Sequence, residues 1–295
     1  LPLEEELWHD PTPPEPRIRV VAGARIRELN AALESAGLGF SNLGGYDGQT
    51  LIGAISTSTH GSGLRLGPLP SSVRSIDLVA ADGRLYRIEP CNGITDPTRF
   101  ARRYGQKMTL IQDDHWLRAV VVSLGCLGVV YSMTVSVRAA YRLHEHRTLA
   151  CWSDVRRELQ ARQVLYQTRN YELLINPYVR RDGEHTCLVT TRQVAAPESR
   201  DIPLPDSRLN AEDFVFRAST QAGVLRLMES TPRLVPTILE SGLSELATRD
   251  GGHLETSYRI YNIGKINTAE VLSAEYFVPL RDDAFLKAVE RLLEI

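Results

Sequence analysis

Along the chain, hydrophobic and polar positions alternate in two different periods. RIRVVA at residues 17–22 has a β-type pattern. ARIRELNAALESAG follows with Ile26, Leu29 and Leu33 at helical spacing, and Gly37 is placed to stop that helix. SIDLVAADGRLYRI joins two apolar runs through Asp82-Gly83, a pair suited to a hairpin with a type I′ turn. Residues 91–117 read as polar and irregular. LGCLGVVYSMTVSV then alternates cleanly. Tyr131, Met133, Val135 and Val137 point one way and Ser132, Thr134 and Ser136 the other, the pattern of a strand with one buried face.

From about residue 141 the pattern changes. YRLHEHRTLA reads as a strand with His144 and His146 on one face. SDVRRELQARQVL reads as a helix capped by Ser153 or Asp154, with Val155 and Leu159 on its buried side. NYELLINPYVRRDGEHTCLVTTRQV predicts two strands around Asp182-Gly183. The loop APESRDIPLPDS leads into a mostly helical stretch that runs to about residue 247. HLETSYRIYNI and EVLSAEYFVPL have strand character. RDDAFLKAVERLLEI closes as a helix with Phe285, Val289, Leu292 and Leu293 as its stripe. Strands and helices without regular βαβ alternation predict an α+β protein. The pattern divides it into domains at 1–140 and 141–295.

Composition narrows the class. The chain has 295 residues, 43% hydrophobic and 24% charged, with a net charge of −2. That is ordinary globular composition, and its mixed charge gives no footprint for nucleic acid. No apolar run reaches the ~20 residues of a membrane span. LPLEEELWHDPTPPEP is neither a signal nor a transit peptide and lacks an initiator Met. Cys91, Cys126, Cys151 and Cys187 form no CxxC pair, which suits isolated buried thiols and a cytoplasmic location. The histidines are scattered and offer no metal-ligand set, so no metal is expected.

The chemistry concentrates in residues 41–63, SNLGGYDGQTLIGAISTSTHGSG. Gly44, Gly45, Gly48, Gly53, Gly61 and Gly63 allow close backbone approach. Ser56, Thr57, Ser58, Thr59 and Ser62 add hydroxyls, and tight turns of peptide N–H groups bind anions. No Gly-Lys-Ser/Thr follows and no GxGxxG opens a helix, so neither common nucleotide motif is present. A buried structural turn or a linker would also use such residues. Leu51, Ile52, Ala54 and Ile55 argue against the linker.

NLGGYDGQTLIGAISTSTHGSG resembles the flavin-binding core of the vanillyl-alcohol oxidase/p-cresol methylhydroxylase superfamily. It is most similar to the branch of sugar-lactone oxidases, alditol oxidase and covalent-flavin cholesterol oxidase. LGCLGVVYSMTVSV, YELLINPY and SAEYFVPL resemble that branch's later motifs. The resemblance implies the second half of a PCMH-type FAD-binding domain over 1–140, followed by an α+β substrate domain with an antiparallel sheet. It implies FAD contacts at Gly45, Gln49, Thr50, Gly53, Ser56, Thr57, Thr59, His60 and Gly61, with the adenine end on Gly128, Val129 and Val130. His60 is equally readable as a histidine bonded to its own loop. The family's G-x-G-H-S-type loop upstream, and its Glu-x-Arg pair and lysine segment downstream, are not found in the chain. The expectation is a partial sequence, with the first domain incomplete at its N-terminus and the second at its C-terminus.

The implied function is FAD-dependent oxidation of a CH–OH group in a small alcohol, polyol, sugar lactone or sterol-like substrate. Oxygen is the implied acceptor, giving hydrogen peroxide, because T-H-G-S-G most resembles the oxygen-using members. Flavin-dependent decarboxylation or cyclisation, or a non-catalytic flavin-binding module, are the alternatives. Glu275, Tyr258, Arg259 and Glu172, read as lying on substrate-domain strands, are the candidates for the catalytic base.

Overall fold

The computed structural model describes residues 1–9, 15–203, 223, 226–247, 252–262 and 274–294. The part of APESRDIPLPDS beyond residue 203, and the part of EVLSAEYFVPL before residue 274, lie outside the described residues. The chain forms two compact units. The first contains Leu1–Gly61, Leu66–Tyr141 and Ser257–Asn262; the second contains Ser62–Arg65, Arg142–Thr256 and the described chain from residue 274 onward.

In the first unit, β1 (Arg17–Val21) leads to α1 (Ile26–Ser35), which ends at Gly37 with φ +67°. The short strand β2 (Leu38–Gly39) and α2 (Leu51–Ser56) follow. Next come β3 (Val73–Val79), β4 (Leu85–Glu89), α3 (Pro97–Tyr104), β5 (Met108–Gln112), α4 (Asp114–Val121), β6 (Val129–Ser136) and β7 (Arg138–Ala139). Five of the strands form one sheet in the order β1-β6-β3-β4-β5, antiparallel except for the parallel pair β4–β5. One face carries Val20, Ile76, Leu78, Ile88, Met133 and Val135, all buried. α4 packs on β3, β4 and β5, and α2 packs on α4. Leu51 and Ile55 of α2 are fully buried, each contributing about 1.5–3 kcal/mol by leaving water.

Three expectations change here. Residues 91–117 are not irregular: Asp96, accepting from Arg99 N, caps α3 with Pro97 behind it, and Asp113 caps α4 through His115 N and Trp116 N. The β3–β4 turn is not type I′. Of its residues only Gly83 has positive φ (+79°), Gly83 N–H donates to Ala80 O, and Ala80 N–H donates to Arg84 O. That is a type I turn closed by a left-handed glycine. β6 is buried on both faces rather than one, with Ser132 at 0% and Thr134 at 7% exposure, whereas Tyr131 is exposed.

The polar face of this sheet is a buried charge network. Asp77 accepts from Arg87 Nε at 2.7 Å, Arg19 Nη2 at 2.6 Å and Ser132 Oγ at 2.8 Å. Arg87 Nη2 also reaches Glu4 Oε2 at 2.6 Å, and Tyr104 OH donates to Glu4 Oε1 at 2.5 Å. The Arg87 guanidinium lies 5.4 Å from the Phe100 ring centroid and 5.8 Å from that of Tyr104. The N-terminal segment and α3 thus cover this face.

In the second unit, β8 (Arg142–Cys151) runs into α5 (Trp152–Ala161) and α6 (Gln163–Gln167). β9 (Asn170–Ile175), β10 (Thr186–Val194) and β11 (His253–Thr256) complete an antiparallel sheet in the order β11-β8-β10-β9. β9 and β10 flank Asp182-Gly183 as expected. A helix at Val235–Leu246 and another at Ala284–Leu293 complete the described elements. α5 begins at Trp152, before either expected cap, and its end is set by Arg162 at φ +60°. Trp152, Val155, Leu159, Cys187, Val189 and Leu286 form the core of one sheet face. In the last helix Leu286 is the buried residue, while Leu292, placed in the stripe by spacing, is exposed. HLETSYRIYNI is only half strand, because Ser257–Tyr261 is helical, and residues 274–280 form no strand.

The cysteines are free, and Cys187 alone among them is buried; Cys91 and Cys126 are exposed and Cys151 is half-buried. Burial, with Cys151 and Glu184 nearby, pushes the Cys187 thiol up to about 12. His144 and His146 stand together on β8 with ring centroids 4.1 Å apart. Among the described residues no helix is long and apolar enough to cross a membrane.

Candidate functional site

The small-residue stretch folds as one short helix with a loop on each side. Thr50 is the N-cap of α2: its Oγ1 accepts from Gly53 N at 3.1 Å. The approach from Gly45 to Gln49 is pinned to α1 by its backbone. Ile26 N–H donates to Gln49 O, Arg27 N–H to Asp47 O, and Leu51 N–H to Ala24 O. The first N–H groups of α1 are therefore already used, and Gln49 remains exposed.

The other end of α2 is a left-handed C-cap made without glycine. Ser58 sits at φ +60°, Ser58 N–H donates to Ile55 O, and Thr59 N–H donates to Ala54 O. Thr57 Oγ1 turns back to Gly53 O at 3.1 Å. The hydroxyls of Thr50 and Thr57 thus serve the helix. From Ser58 to Gly63 every residue is half-buried, and none is larger than histidine. His60 Nδ1 contacts Gly61 O at 3.0 Å. A carbonyl only accepts, so this bond puts a proton on Nδ1. The bond to its own loop, one of two readings from sequence, is present.

The glycines answer to the protein's own packing. A Cβ on Gly61 would lie 2.3 Å from Leu43 O and 2.5 Å from Asn42 Oδ1, and one on Gly53 would lie 2.8 Å from Thr50 Oγ1. Valine at either position would disturb the fold before it met a ligand. Gly128 (φ +134°) is held equally closely, with Val79 O at 2.4 Å from its would-be Cβ. Leu124 N–H donates to Ser56 O at 3.1 Å, which brings the loop leading to Gly128 against the end of α2. Val129 stays exposed beside Gly128, and Val130 is half-buried. The half-buried loop Ser58–Gly63, with its amide, hydroxyl and imidazole groups, has a donor set that fits an anionic diphosphate.

The candidate bases do not gather. Tyr258 and Arg259 lie on the helix Ser257–Tyr261 in the first unit, not on a strand, and both face Glu34, with Tyr258 OH 2.8 Å from Glu34 Oε2. Glu275 is exposed and outside any strand. Glu172 does lie on a strand, β9, where Arg192 Nη1 reaches its Oε2 at 2.9 Å. Residues that spacing did not mark surround it on the polar face of the second sheet. Arg192 Nε donates to Glu145 Oε2 at 2.7 Å, Arg147 Nε lies 2.9 Å from Glu145 Oε1, and Asn170 is fully buried. The signal available was the alternation that puts Glu145 and Arg147 of EHR on one face of β8 and Thr190 and Arg192 of TTR on one face of β10.

Residues 7–89 match the family model described as the FAD binding domain. Alditol oxidase of Streptomyces sp. is 33% identical over 129 residues, covering 44% of this chain and 26% of that protein. L-gulono-1,4-lactone dehydrogenase of Mycobacterium tuberculosis is 25% identical over 283 residues, covering 94% of this chain and 56% of that protein. Cholesterol oxidase from B. sterolicum has a similar fold, with a TM-score of 0.59 at 15% identity over 87% of this chain and 47% of that one. The chain thus spans between about a quarter and about half of these relatives. Capped α2 and its small-residue loop lie inside the segment of the chain that matches the FAD binding domain, while the strand from Gly128 lies beyond it.

Proposed function

We propose that the protein is an FAD-dependent oxidoreductase that oxidises a CH–OH group of a small alcohol, polyol or sugar lactone and passes the electrons to oxygen. Residues 1–140 act as the FAD-binding domain and 141–295 as the substrate domain, in a cytoplasmic enzyme. The observation that carries this is the half-buried loop Ser58–Gly63, set out from a capped helix inside the segment matching the FAD-binding domain model.

Bound FAD supplies the two-electron acceptor. Gly45, Gln49, Thr50, Gly53, Ser56, Thr57, Thr59, His60 and Gly61 line its diphosphate and ribityl part, and Gly128, Val129 and Val130 its adenine. The hydroxyls of Thr50 and Thr57 and the N–H groups of Gly53, Thr57 and Thr59 are spent on α2 and its cap, so these groups contribute shape rather than hydrogen bonds to the binding. The hydroxyl proton of the substrate needs an acceptor. Glu172 fits this role best of the four candidates, being only partly exposed and oriented by Arg192. The absorption spectrum of the purified protein, before and after denaturation, tests the cofactor and any covalent link together. A colourless protein that takes up no FAD would overturn the reading. Substrate-reduced protein that stays reduced in air would make it a dehydrogenase instead.

A further inference from the structure

We propose that Asn170 and Arg192 form a positioning clamp that sets the conformation of the FAD-binding loop by holding Ser62; the proposal rests on the FAD reading above. Ser62 directly follows Gly61, yet it groups with the second unit. The Asn170 side chain, at 0% exposure, donates from Nδ2 to Ser62 O. Arg192, 3% exposed, reaches Ser62 Oγ from Nη1 at 3.5 Å. Burying a primary amide is costly unless its donors are used, and this one is spent on a loop carbonyl.

The clamp is stiff for a geometric reason. Asn170 and Arg192 are register partners across β9 and β10, and Glu145 is the register partner of Arg192 on β8. The guanidinium is fixed by Glu145 Oε2 at 2.7 Å and Glu172 Oε2 at 2.9 Å, so it presents Nη1 from a set position. One residue earlier, Gly61 is pressed against Leu43 O and Asn42. One residue later, Gly63 adopts φ +117°, which a residue with a Cβ rarely takes. Ser62 is therefore held by Asn170 and Arg192 at the position directly after Gly61 in the chain. Neither clamp residue needs to touch FAD or substrate.

The test is fluorescence titration of the apoprotein with FAD, together with the flavin midpoint potential and a thermal melt, in the full-length protein. Asn170→Asp keeps the shape but replaces both N–H donors with an acceptor facing a carbonyl. It and Asn170→Ala should weaken FAD binding by roughly tenfold or more and shift the potential of the flavin that still binds. Arg192→Lys, which keeps the charge, should lose less. Ser62→Ala removes only the hydroxyl that Arg192 reaches and covers the case in which the Asn170 variants fail to fold; it should weaken FAD binding by roughly two- to fivefold. Asn170 and Ser62 variants with wild-type affinity and potential would overturn the clamp alone. A wild-type protein that takes up no FAD would overturn the function on which the clamp rests.

Discussion

The two sheets are built alike up to a point. Each has one apolar face under helices and one polar face of buried arginine–carboxylate pairs. In the first sheet the polar face is closed. Asp77 receives three charged or hydroxyl donors, Glu4 comes in from the N-terminal segment, and Phe100 and Tyr104 lie over Arg87. In the second, the face stays partly open: the Glu172 side chain keeps 35% exposure and the outer donors point to Ser62. The same chemistry serves cohesion in one place and leaves reach for a loop in the other. A polar face closed by its own chain is structural. One that leaves donors for a loop from elsewhere is where chemistry is to be sought.

Removing the central arginine of each sheet should have the largest effect. Arg87→Met leaves Asp77 and Glu4 without their main partner, and Arg192→Met leaves Glu145, at 0% exposure, with only Arg147 of its two arginines. Each should cost about 3–5 kcal/mol in denaturant unfolding. A cost below about 1 kcal/mol for Arg192→Met would mean that the second network has the value of a surface pair and break the parallel.

Acid should then separate the sheets. Burial alone would raise the Asp77 carboxyl, but the hydrogen bonds and charge of Arg87, with Ser132 and Arg19, outweigh it and hold it below the usual carboxylate range. For Glu4 too, burial is outweighed, here by Tyr104, Arg87 and Arg19. Both values are depressed in the folded state. Their stabilisation is therefore complete above the ordinary carboxylate range, about pH 4, and is lost as pH falls through the lowered values. Hydrogen exchange at decreasing pH should show protection lost in β3, β4 and β6. Unchanged protection there down to about pH 2 would contradict the assignment.

The smallest effect is expected at Thr50. Thr50→Ala removes the cap of α2 and should cost about 1 kcal/mol by thermal melting, with no change in either polar network. A neutral Thr50→Ala would mean that the wild-type α2 does not depend on that hydroxyl as its cap.

The alternation of β6 was legible, and so were α1 with Gly37, the β9–β10 pair and the flavin-binding stretch. The burial of the polar face was not. Ser132 and Thr134 look like a solvent face because their partners are far away in sequence: Asp77 lies 55 residues from Ser132, and Glu4 lies 83 from Arg87. α3 escaped notice because two helical turns need only one buried apolar residue, Phe100, and its signal was the Asp96-Pro97 start. Ser257–Tyr261 looked like strand from its tyrosines and isoleucine, yet it is helical, a case of tertiary context overriding propensity. In the site, spacing could mark the loop but not which hydroxyls α2 would consume. Nor could it show that Gly53 and Gly61 face the protein's own atoms.

The first unit also contains Ser257–Asn262, more than a hundred residues beyond Tyr141. Tyr258 OH meets Glu34, and Asn262 Nδ2 donates to Asp47 Oδ2 at 2.8 Å. Asp47 lies in the segment pinned to the start of α1, just ahead of Gln49 and the N-cap of α2. During synthesis the ribosome delivers β1 to β7 first, and Glu34 and Asp47 wait for their partners until nearly the whole second unit has emerged. Domains that fold as they are made normally finish in order. Here the earlier unit closes last, so a nascent chain stalled before residue 257 would carry a complete first sheet with Glu34 and Asp47 still unfastened.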